Sequence, residues 1–320
     1  MPRSSANKEV RDGVEFSNLD QSLFDDAGAT KRDLVAYLDG VRARLLPNLR
    51  DRPLSVIRVR PGQEKFMQKN LPKYAPDWIR TVTVWAEASH RDVAYALCND
   101  RKTLLWFANQ RAVEYHPTLM KAGHWDTPTH LILDIDPPEG ETFGAAVKAA
   151  LLVREALAEL GLAGAVKTSG AKGLHIFIPV RQTSTMDAAA ATRAIAARAE
   201  RLGPDIATTA FIREDRGGKV FLDSTRAGGA TVVAPYSPRA RPGVPVSFPV
   251  PWDRIEHVTP GEFTVHTALG LLGDGDPWAE LMPPAQRLSD ELLAEGHGIP
   301  IARVQAMHEG KRRARAARQA

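Results

Sequence analysis

Two aspartates lie two residues apart at the end of an apolar stretch, which reads THLILDIDPPEG over residues 129–140. Successive side chains of a strand point to opposite faces, so Asp134 and Asp136 share one face. Two carboxylates this close repel each other, and a divalent cation such as Mg²⁺ or Mn²⁺ between them would relieve the repulsion. The alternative is an ordinary strand end with solvated aspartates that cap the next turn, because the D-x-D pattern is common.

A third acidic residue on another strand would favour the metal interpretation. Asp223 follows the apolar run VFL and is the candidate. Three carboxylates can hold two metal ions about 3.5–4 Å apart, which stabilises the attacking and leaving oxygens of a phosphoryl displacement. The carboxylates therefore indicate phosphoryl-transfer chemistry.

The segment KTSGAKGLH could bind the phosphates on which such metals act. Its two glycines permit a tight turn whose amides can bind an anion. Ser169, Lys172 and His175 can each donate to a phosphate or ribose oxygen. The spacing is not that of a P-loop, and the alternative is an ordinary hairpin turn. Arg226 and Arg239 add guanidinium groups, whose donor geometry matches phosphate oxygens.

These residues need a scaffold of strands and helices, and hydrophobic periodicity predicts one of mixed α/β or α+β class. A helix is expected over residues 30–46, with Thr30 as its N-cap and Pro47 as its end. The Pro-rich passage 234–252 must be extended and irregular. Further helices are expected at 143–160, 187–201, 285–295 and 301–308, strands at 54–59, 81–85, 130–136, 165–168, 174–180, 219–223 and 231–234, and a helix or strand at 104–107.

Composition indicates a soluble globular protein of one large domain or two small ones. The chain has 320 residues, of which 43% are hydrophobic and 25% charged. It contains no apolar run of the ~20 residues that cross a bilayer, and its N-terminus lacks the apolar core of a secretory signal. Cys98 is the single cysteine, which excludes an intrachain disulfide and a zinc cluster and favours a reducing, cytoplasmic setting.

Positive charge is concentrated at the C-terminus. The whole chain carries +4, and the tail KRRARAARQA holds five cationic residues, which leaves −1 for the remainder. Such a tail is either a basic arm that binds nucleic acid or a solvated terminus. We expect residues 1–12 to be disordered, 13–300 to form the functional domain and 301–320 to form a basic helical or disordered tail.

Seven motifs in order resemble the polymerase domain of bacterial LigD, in the archaeo-eukaryotic primase superfamily that serves non-homologous end joining. The resemblance covers residues 16–278. It implies an α+β fold, with a primase-type RRM-like sheet core, flanking helices and an N-terminal α/β subregion. It also implies a stand-alone member, since no ligase or nuclease segment accompanies the motifs. The motifs are ATKRDLVAYL, FMQKNLPKYAPDWI, WFANQRAVEYHP, LDIDPPEG, KTSGAKGLH, RGGKVFLD and VVAPYSPRARPGVPVSFPVPW.

The resemblance assigns a role to each candidate residue. It implies a template-dependent nucleotidyl transferase, acting as a monomer, that adds NTPs in preference to dNTPs at DNA gaps or ends, with Ku and a separate ligase as partners. Two divalent ions, Mn²⁺ or Mg²⁺, would bind the triphosphate and activate the primer 3′-hydroxyl. The implied metal ligands are Asp134, Asp136 and Asp223; the implied nucleotide-binding residues are Lys69, His116, Ser169, Lys172, His175, Arg226 and Arg239; Lys31 is implied to bind the 5′-phosphate of a DNA end.

The chain departs from this family at residues that would contact DNA. Gln21 stands where the family has a second phosphate-binding lysine, which predicts a weaker grip on the 5′-phosphate. Phe66-Met67 replaces a pair of phenylalanines, and a phenylalanine stacks on bases better than a methionine does. We therefore expect catalysis to be retained and DNA docking to differ. Two alternatives are a DNA-end or gap-binding module with weak synthesis and a metal-dependent phosphohydrolase.

Overall fold

The computed structural model describes residues 9–86, 90–228 and 231–301. The described residues form an α+β fold, which confirms the predicted class. Among them, no helix is long and apolar enough to cross a membrane. The strands are β1 (Glu9–Arg11), β2 (Val14–Phe16), β3 (Pro53–Arg60), β4 (Gln63–Gln68), β5 (Thr81–Ala86), β6 (Arg91–Leu97), β7 (Ala112–Pro117), β8 (His130–Asp136), β9 (Ala165–Thr168), β10 (Leu174–Pro179), β11 (Ala207–Thr208) and β12 (Val220–Asp223). The α-helices are α1 (Lys31–Leu49), α2 (Arg101–Asn109), α3 (Phe143–Glu159), α4 (Thr185–Leu202), α5 (Ala268–Leu271), α6 (Pro277–Leu281) and α7 (Asp290–Gly298).

One five-stranded sheet carries the aspartates and has the order β11-β12-β8-β10-β9. Its neighbouring strands are antiparallel, apart from the parallel pair β11–β12. Along β8 the side chains alternate: Leu131, Leu133 and Ile135 are fully buried on the face that α3 and α4 cover. Asp134 and Asp136 therefore lie on the opposite face, as the period of two predicts.

A second sheet has the order β4-β3-β6-β5, with β7 paired to the other side of β3. It forms, with α1 and α2, the N-terminal subregion that the sequence predicts. Helix α1 begins with a capping box in which Thr30 and Asp33 exchange hydrogen bonds, and its apolar face is buried. Strand β3 pairs residue by residue with β7, which brings Ser55 beside His116. This sheet forms the wall that faces the aspartates.

Several predicted boundaries are wrong. Helix α1 continues through Pro47 to Leu49, because burial of Leu45 and Leu49 in the core offsets the backbone hydrogen bond lost at Pro47. Residues 9–11, expected to be disordered, form β1 and pair with β2. Residues 231–234 form no strand, and Thr231 makes only an isolated bridge to Thr118.

The C-terminal prediction is also partly wrong. The helix expected from residue 285 begins at Asp290, because the side chain of Ser289 accepts a hydrogen bond from the backbone of Leu292 and caps it there. The helix predicted at 301–308 lies, apart from its first residue, outside the described residues. Strands β2, β4, β6, β7 and β11 and the short helices α5 and α6 have no counterpart among the predicted elements.

Candidate active site

Four polar side chains form a row across four neighbouring strands. Strand register places Asp223 of β12 beside Asp134 of β8, Asp134 beside His175 of β10, and His175 beside Lys167 of β9. The row is continuous in space: His175 Nε2 lies 3.3 Å from Asp134 Oδ1, and Lys167 Nζ lies 2.8 Å from His175 Nδ1. Asp134 and Asp223 are 89 positions apart in the sequence, and strand pairing brings them together.

Asp134 and Asp136 differ in electrostatic surroundings. Burial alone would raise the pKa of Asp134, but His175 and Arg226 hold it at about 2, so this carboxylate is ionised. Burial and the charge of Asp134 raise the pKa of Asp136. Its ion-pair partner, Lys172 Nζ, lies at 4.0 Å. Of these two carboxylates, Asp136 is therefore the one whose charge the surrounding protein stabilises less.

Asp223 is held by its own turn. Its Oδ1 accepts hydrogen bonds from the backbone and hydroxyl of Thr225, at 2.8 and 2.6 Å. Arg226 Nε lies 3.2 Å from Asp223 Oδ2, and Arg226 Nη2 donates to Asp134 Oδ2 at 3.3 Å. One guanidinium thus bridges the two carboxylates.

The donor set has the chemistry that a divalent cation requires. Its members are carboxylates, the oxygen ligands that Mg²⁺ and Mn²⁺ prefer, and Asp136 is poorly neutralised by the surrounding protein. Within the described ranges, no three His, Cys, Asp or Glu side chains converge closely enough to hold a metal in this conformation. Arg226 supplies the positive charge between Asp134 and Asp223. The chemistry of the residues fits, and rotation of these side chains would be needed to close the site.

Lys167 was not predicted as a site residue. It is fully buried, and its Nζ contacts His175 Nδ1 at 2.8 Å and Ser247 Oγ at 2.5 Å. Burial lowers the pKa of Lys167 well below its usual value, and burial together with Lys167 lowers the pKa of His175 to about 4. A neutral His175 that accepts at Nδ1 carries its proton on Nε2, which faces Asp134. The signal in the sequence was a lysine inside the apolar strand AVKT.

The turn after β9 is both a hairpin and part of the site, so its two interpretations are compatible. Ser169 Oγ accepts hydrogen bonds from the backbones of Ala171 and Gly173, which leaves its hydroxyl hydrogen free to donate. Gly170 has a φ of +67°. At Gly173 a Cβ would lie 2.1 Å from the carbonyl oxygen of Ile135. Gly173 therefore lets the turn approach β8 closely, and Gly170 lets it approach Arg239 and the backbone of Ser247.

Glu114 is a second site residue that the sequence did not reveal. Its carboxylate contacts His116 Nε2 at 2.8 Å and Arg239 Nε at 3.0 Å, and accepts from the backbone of Ala240 at 2.9 Å. Burial opposes its charge, yet His116 and Arg239 lower the pKa of Glu114 to about 2. Arg239 also donates to the carbonyl of Ser169 at 2.5 Å. A buried carboxylate thus orients two predicted nucleotide-binding groups. The sequence signal for Glu114 was its spacing from His116, since residues two positions apart in a strand share a face.

The two sheets enclose a cleft of about 490 Å³. Asp223 lies beside this lining through its pairing with Asp134. Ser55, Met67 and Tyr95 of the second sheet complete the opposite wall. The predicted site residues that line the cleft are Lys69, His116, Asp134, Asp136, Ser169, Lys172, His175, Arg226 and Arg239.

The residues predicted to bind DNA lie outside the cleft lining. Phe66 is 39% exposed, and the guanidinium carbons of Arg58 and Arg60 lie 5.6 and 5.8 Å from its ring centre. Gln21 is exposed near the N-terminus of α1, whereas Lys31 is buried there with 3% exposure. The structure therefore separates a nucleotide-sized cleft from the surface predicted to meet DNA.

Comparison with known proteins bears on this arrangement. A family model described as LigD, primase-polymerase domain, matches residues 30–278. The chain is 32% identical over 269 residues to the bifunctional non-homologous end joining protein LigD of Bacillus subtilis, covering 82% of this chain and 43% of that protein. It is 31% identical over 294 residues to a multifunctional LigD repair protein of Mycobacterium tuberculosis, covering 86% of this chain and 38% of that protein. The chain spans less than half the length of these relatives.

A solved structure has the same fold. The polymerase domain from Mycobacterium tuberculosis Ligase D in complex with DNA aligns with a TM-score of 0.77 and 30% sequence identity, covering 85% of this chain and 99% of that chain. The family resemblance drawn from the seven motifs is confirmed, and this family implies dependence on divalent metal ions. The chain belongs to the LigD primase-polymerase domain family, whose polymerase domains are DNA-directed nucleotidyltransferases of the primase-polymerase type.

Proposed function

We propose that the protein is a template-dependent nucleotidyl transferase that fills gaps or extends ends in DNA repair and uses NTPs in preference to dNTPs. The observation that carries this proposal is the pairing of charges in one cleft. Acidic strand ends, with Asp136 poorly neutralised, lie next to Lys172, Arg226 and Arg239. A nucleoside triphosphate bound with divalent cations carries negative charge on its phosphates and positive charge on the ions, and such a cleft complements both.

The carboxylates would hold two divalent ions, Mg²⁺ or Mn²⁺. When bound, such ions neutralise charge on the transferring phosphoryl group and make a primer 3′-hydroxyl more acidic. Asp134, which stays ionised at neutral pH, and Asp223, which its neighbour Thr225 orients, would be ligands once their side chains rotate to meet the ions. Asp136 gains most from a cation, because burial and Asp134 disfavour its charge.

The cationic residues would bind the triphosphate. Glu114 and the carbonyl of Ser169 hold the Arg239 guanidinium from two sides, so this group is ordered before the nucleotide arrives. Preorganised charges lose little free energy in reorienting when the phosphates bind. Lys172 and the Ser169 hydroxyl lie on the same turn, and Lys69 lies on the opposite wall.

DNA would bind along the surface that carries Phe66, Gln21 and Lys31, with a gap or a 5′-phosphorylated end as substrate. Base stacking on Phe66 is available because more than a third of this side chain is exposed. We further propose that the protein acts as a monomer in the cytoplasm. Ku and a separate ligase would be its partners, since the named relatives are end-joining proteins.

Primer extension on a one-nucleotide-gapped duplex with a 5′-phosphate tests the function. Mg²⁺ and Mn²⁺ are supplied in turn, with NTPs or dNTPs, and Asp134→Ala/Asp136→Ala is the control variant. We expect templated addition, faster with NTPs, and a loss of at least about 100-fold in the variant, since even residues that only orient metal ligands cost 10- to 100-fold. Gap binding by the variant, measured by fluorescence anisotropy, should stay within about twofold of the native protein.

The same assay separates the alternatives. Tight gap binding with no addition of any nucleotide would support an end-binding module. Hydrolysis of NTPs without a primer–template would support a phosphohydrolase. Pyrophosphate release that requires both primer and template is the polymerase outcome, and retained extension in the double variant would contradict the assigned carboxylates.

A further inference from the structure

A second cationic cluster lies outside the cleft, at the N-terminus of α1. Lys31 is the first residue of that helix and is 3% exposed. Its Nζ donates to the carbonyl of Ser17 and to Oδ1 of Asn109, both at 2.6 Å. An ammonium group has three hydrogens to donate, so one remains available.

Arg111 completes the cluster from the loop after α2. Its backbone has a φ of +58°, and its Nη1 donates to the carbonyls of Ser22 and Leu23 at 2.8 and 3.2 Å. Its Nη2 donates to Oε1 of Gln21 at 2.7 Å. These bonds leave Nε and one Nη2 hydrogen of Arg111 unused among the described residues. They also orient the Gln21 amide so that its nitrogen is the free donor.

The two cations have no acidic partner. Across the described part of the chain, neither Lys31 nor Arg111 forms an ion pair, and neutral oxygens accept all their hydrogen bonds. Nearby Asp20 is paired with Arg32 and Asp33 caps α1. Burial, and then the charge of Arg111, lower the pKa of Lys31 to about 8. Lys31 is buried and Arg111 is partly buried, and two such cations with spare donors are stabilised when an anion joins them.

The family resemblance already implies a 5′-phosphate site at Lys31; we propose that Arg111 supplies the second cation of that site, with the Gln21 amide as a further donor. The family resemblance places a lysine at position 21 and assigns nothing to Arg111. The structure instead brings a guanidinium to the Gln21 side chain. The weaker phosphate grip expected from Gln21 is therefore not expected once Arg111 is included.

Charge selects the form of the phosphate. A monoester carries about two negative charges at neutral pH, whereas a backbone diester carries one, so two adjacent cations favour a terminal phosphate. The identity of the molecule that carries this phosphate rests on the proposed function. The ligand is the 5′-phosphate of the strand downstream of a DNA gap. Free inorganic phosphate shares this chemistry and is the other source to be distinguished.

Binding without catalysis tests the proposal. Fluorescence anisotropy compares two one-nucleotide-gapped duplexes, one with a 5′-phosphate and one with a 5′-hydroxyl downstream of the gap, in EDTA and without nucleotide. We expect the native protein to prefer the phosphorylated duplex about tenfold, the size of a single hydrogen bond to a charged group. Arg111→Ala should reduce the preference to within about twofold while leaving the affinity for the hydroxyl duplex unchanged.

Three further variants make the test specific. Gln21→Lys in the Arg111→Ala protein should restore the preference. Gln21→Glu places a carboxylate against Arg111, which should remove the preference without loosening the loop, and so keeps the test valid if Arg111→Ala folds poorly. Arg50→Ala is the matched control, because this exposed arginine caps the other end of α1, about 27 Å away.

Several results would overturn the proposal. One is an undiminished phosphate preference in Arg111→Ala or Gln21→Glu. Another is an equal loss of affinity for both duplexes, which would make Arg111 a general electrostatic contact. A thermal shift with inorganic phosphate that Arg111→Ala abolishes, without any difference between the duplexes, would assign the pocket to free phosphate. Because the binding assay requires no synthesis, its outcomes can be interpreted even if the polymerase assay fails.

Discussion

Glu114 shows how one side chain can organise a cleft that it does not line. Its buried carboxylate contacts His116 from β7 and Arg239 from the Pro-rich segment, and Arg239 in turn donates to the turn that carries Ser169. The two wall residues therefore depend on a single charge. Under the proposed function Glu114 is a positioning residue, since it reaches the nucleotide only through its partners.

Glu114→Gln should raise the KM for the nucleotide about tenfold, with a smaller effect on kcat. The amide keeps the size of the side chain but removes the charge that holds Arg239 and His116. Breaking a buried charge network should also cost roughly 3 kcal/mol of unfolding free energy. Steady-state extension kinetics and a thermal melt measure the two effects.

Glu200→Gln provides the matched control, because Glu200 is a partly buried carboxylate that accepts from Thr208 and Thr209 away from the cleft. Its KM should equal that of the native protein. A Glu114→Gln protein with lowered stability and an unchanged KM would contradict the positioning role and leave Glu114 a structural residue.

At the scale of elements, the turn between β9 and β10 sets how closely the phosphate-binding loop approaches the aspartates. Gly173 lies against the backbone of Ile135, the residue between Asp134 and Asp136, where a Cβ would come within 2.1 Å. The neighbour is backbone rather than a flexible side chain, so the strand itself must move. The last residues of β8 are therefore coupled to the composition of this turn.

Gly173→Ala should destabilise the protein by about 1–3 kcal/mol and reduce kcat about 100-fold, because overpacking displaces β8 and a misplacement of about 1 Å at a site can cost that much. Gly270→Ala is the control, since nothing lies within 4 Å of its added Cβ. Thermal melts and single-turnover extension compare the two. If Gly173→Ala melts and extends as the native protein does, the close approach is not required.

The sequence predicted the strands that carry the site residues more accurately than it predicted the strands around them. The strand and the shared face of Asp134 and Asp136 follow from a period of two, which is local information. The pairing of Asp223 with Asp134 is set by sheet topology, which no spacing encodes. Strand β4 was missed because its sequence QEKFMQ is mostly polar and lies at the sheet edge, where burial imposes no alternation.

Tertiary contacts explain the residues that were missed. A lysine in a short strand is usually taken as solvent-exposed, and the burial of Lys167 depends on Ser247 and His175 from other segments. Arg111 reaches Gln21 across 90 positions of sequence. The first set of contacts joins β9 to β10 and to the Pro-rich segment, and the second joins two loops. The resemblance could assign family residues, but it could not supply these partners.

At the scale of the whole molecule, one continuous hydrophobic core runs beneath both sheets. Tyr37 of α1 donates to the carbonyl of Tyr236 at 2.8 Å, which ties the second sheet's helix to the Pro-rich segment. Trp278 packs edge-on against Phe177 of β10, with ring centres 5.2 Å apart. The walls of the cleft are therefore parts of one folding unit, and a charge introduced where they join should destabilise the entire fold.

His130 lies at this junction and predicts how the fold responds to acid. Its ring packs edge-on against Phe177 and contacts Thr129 Oγ1 at 2.8 Å, and Arg52 donates to the same Thr129 oxygen. Burial, and then the charge of Arg52, lower the pKa of His130 to about 3 from 6.5. The folded protein therefore excludes a proton that the unfolded chain binds below pH 6.5.

By linkage, His130 leaves stability unaffected well above pH 6.5, and stability falls as the pH drops from 6.5 towards 3, by about 2 kcal/mol at pH 5. Urea unfolding of the native protein at pH 7.5, 6 and 5 should show this loss. His130→Gln, which can still bond to Thr129, should flatten the decline, whereas the exposed His257→Gln should not change it. Equal declines in all three proteins would show that protonation of His130 does not limit acid stability.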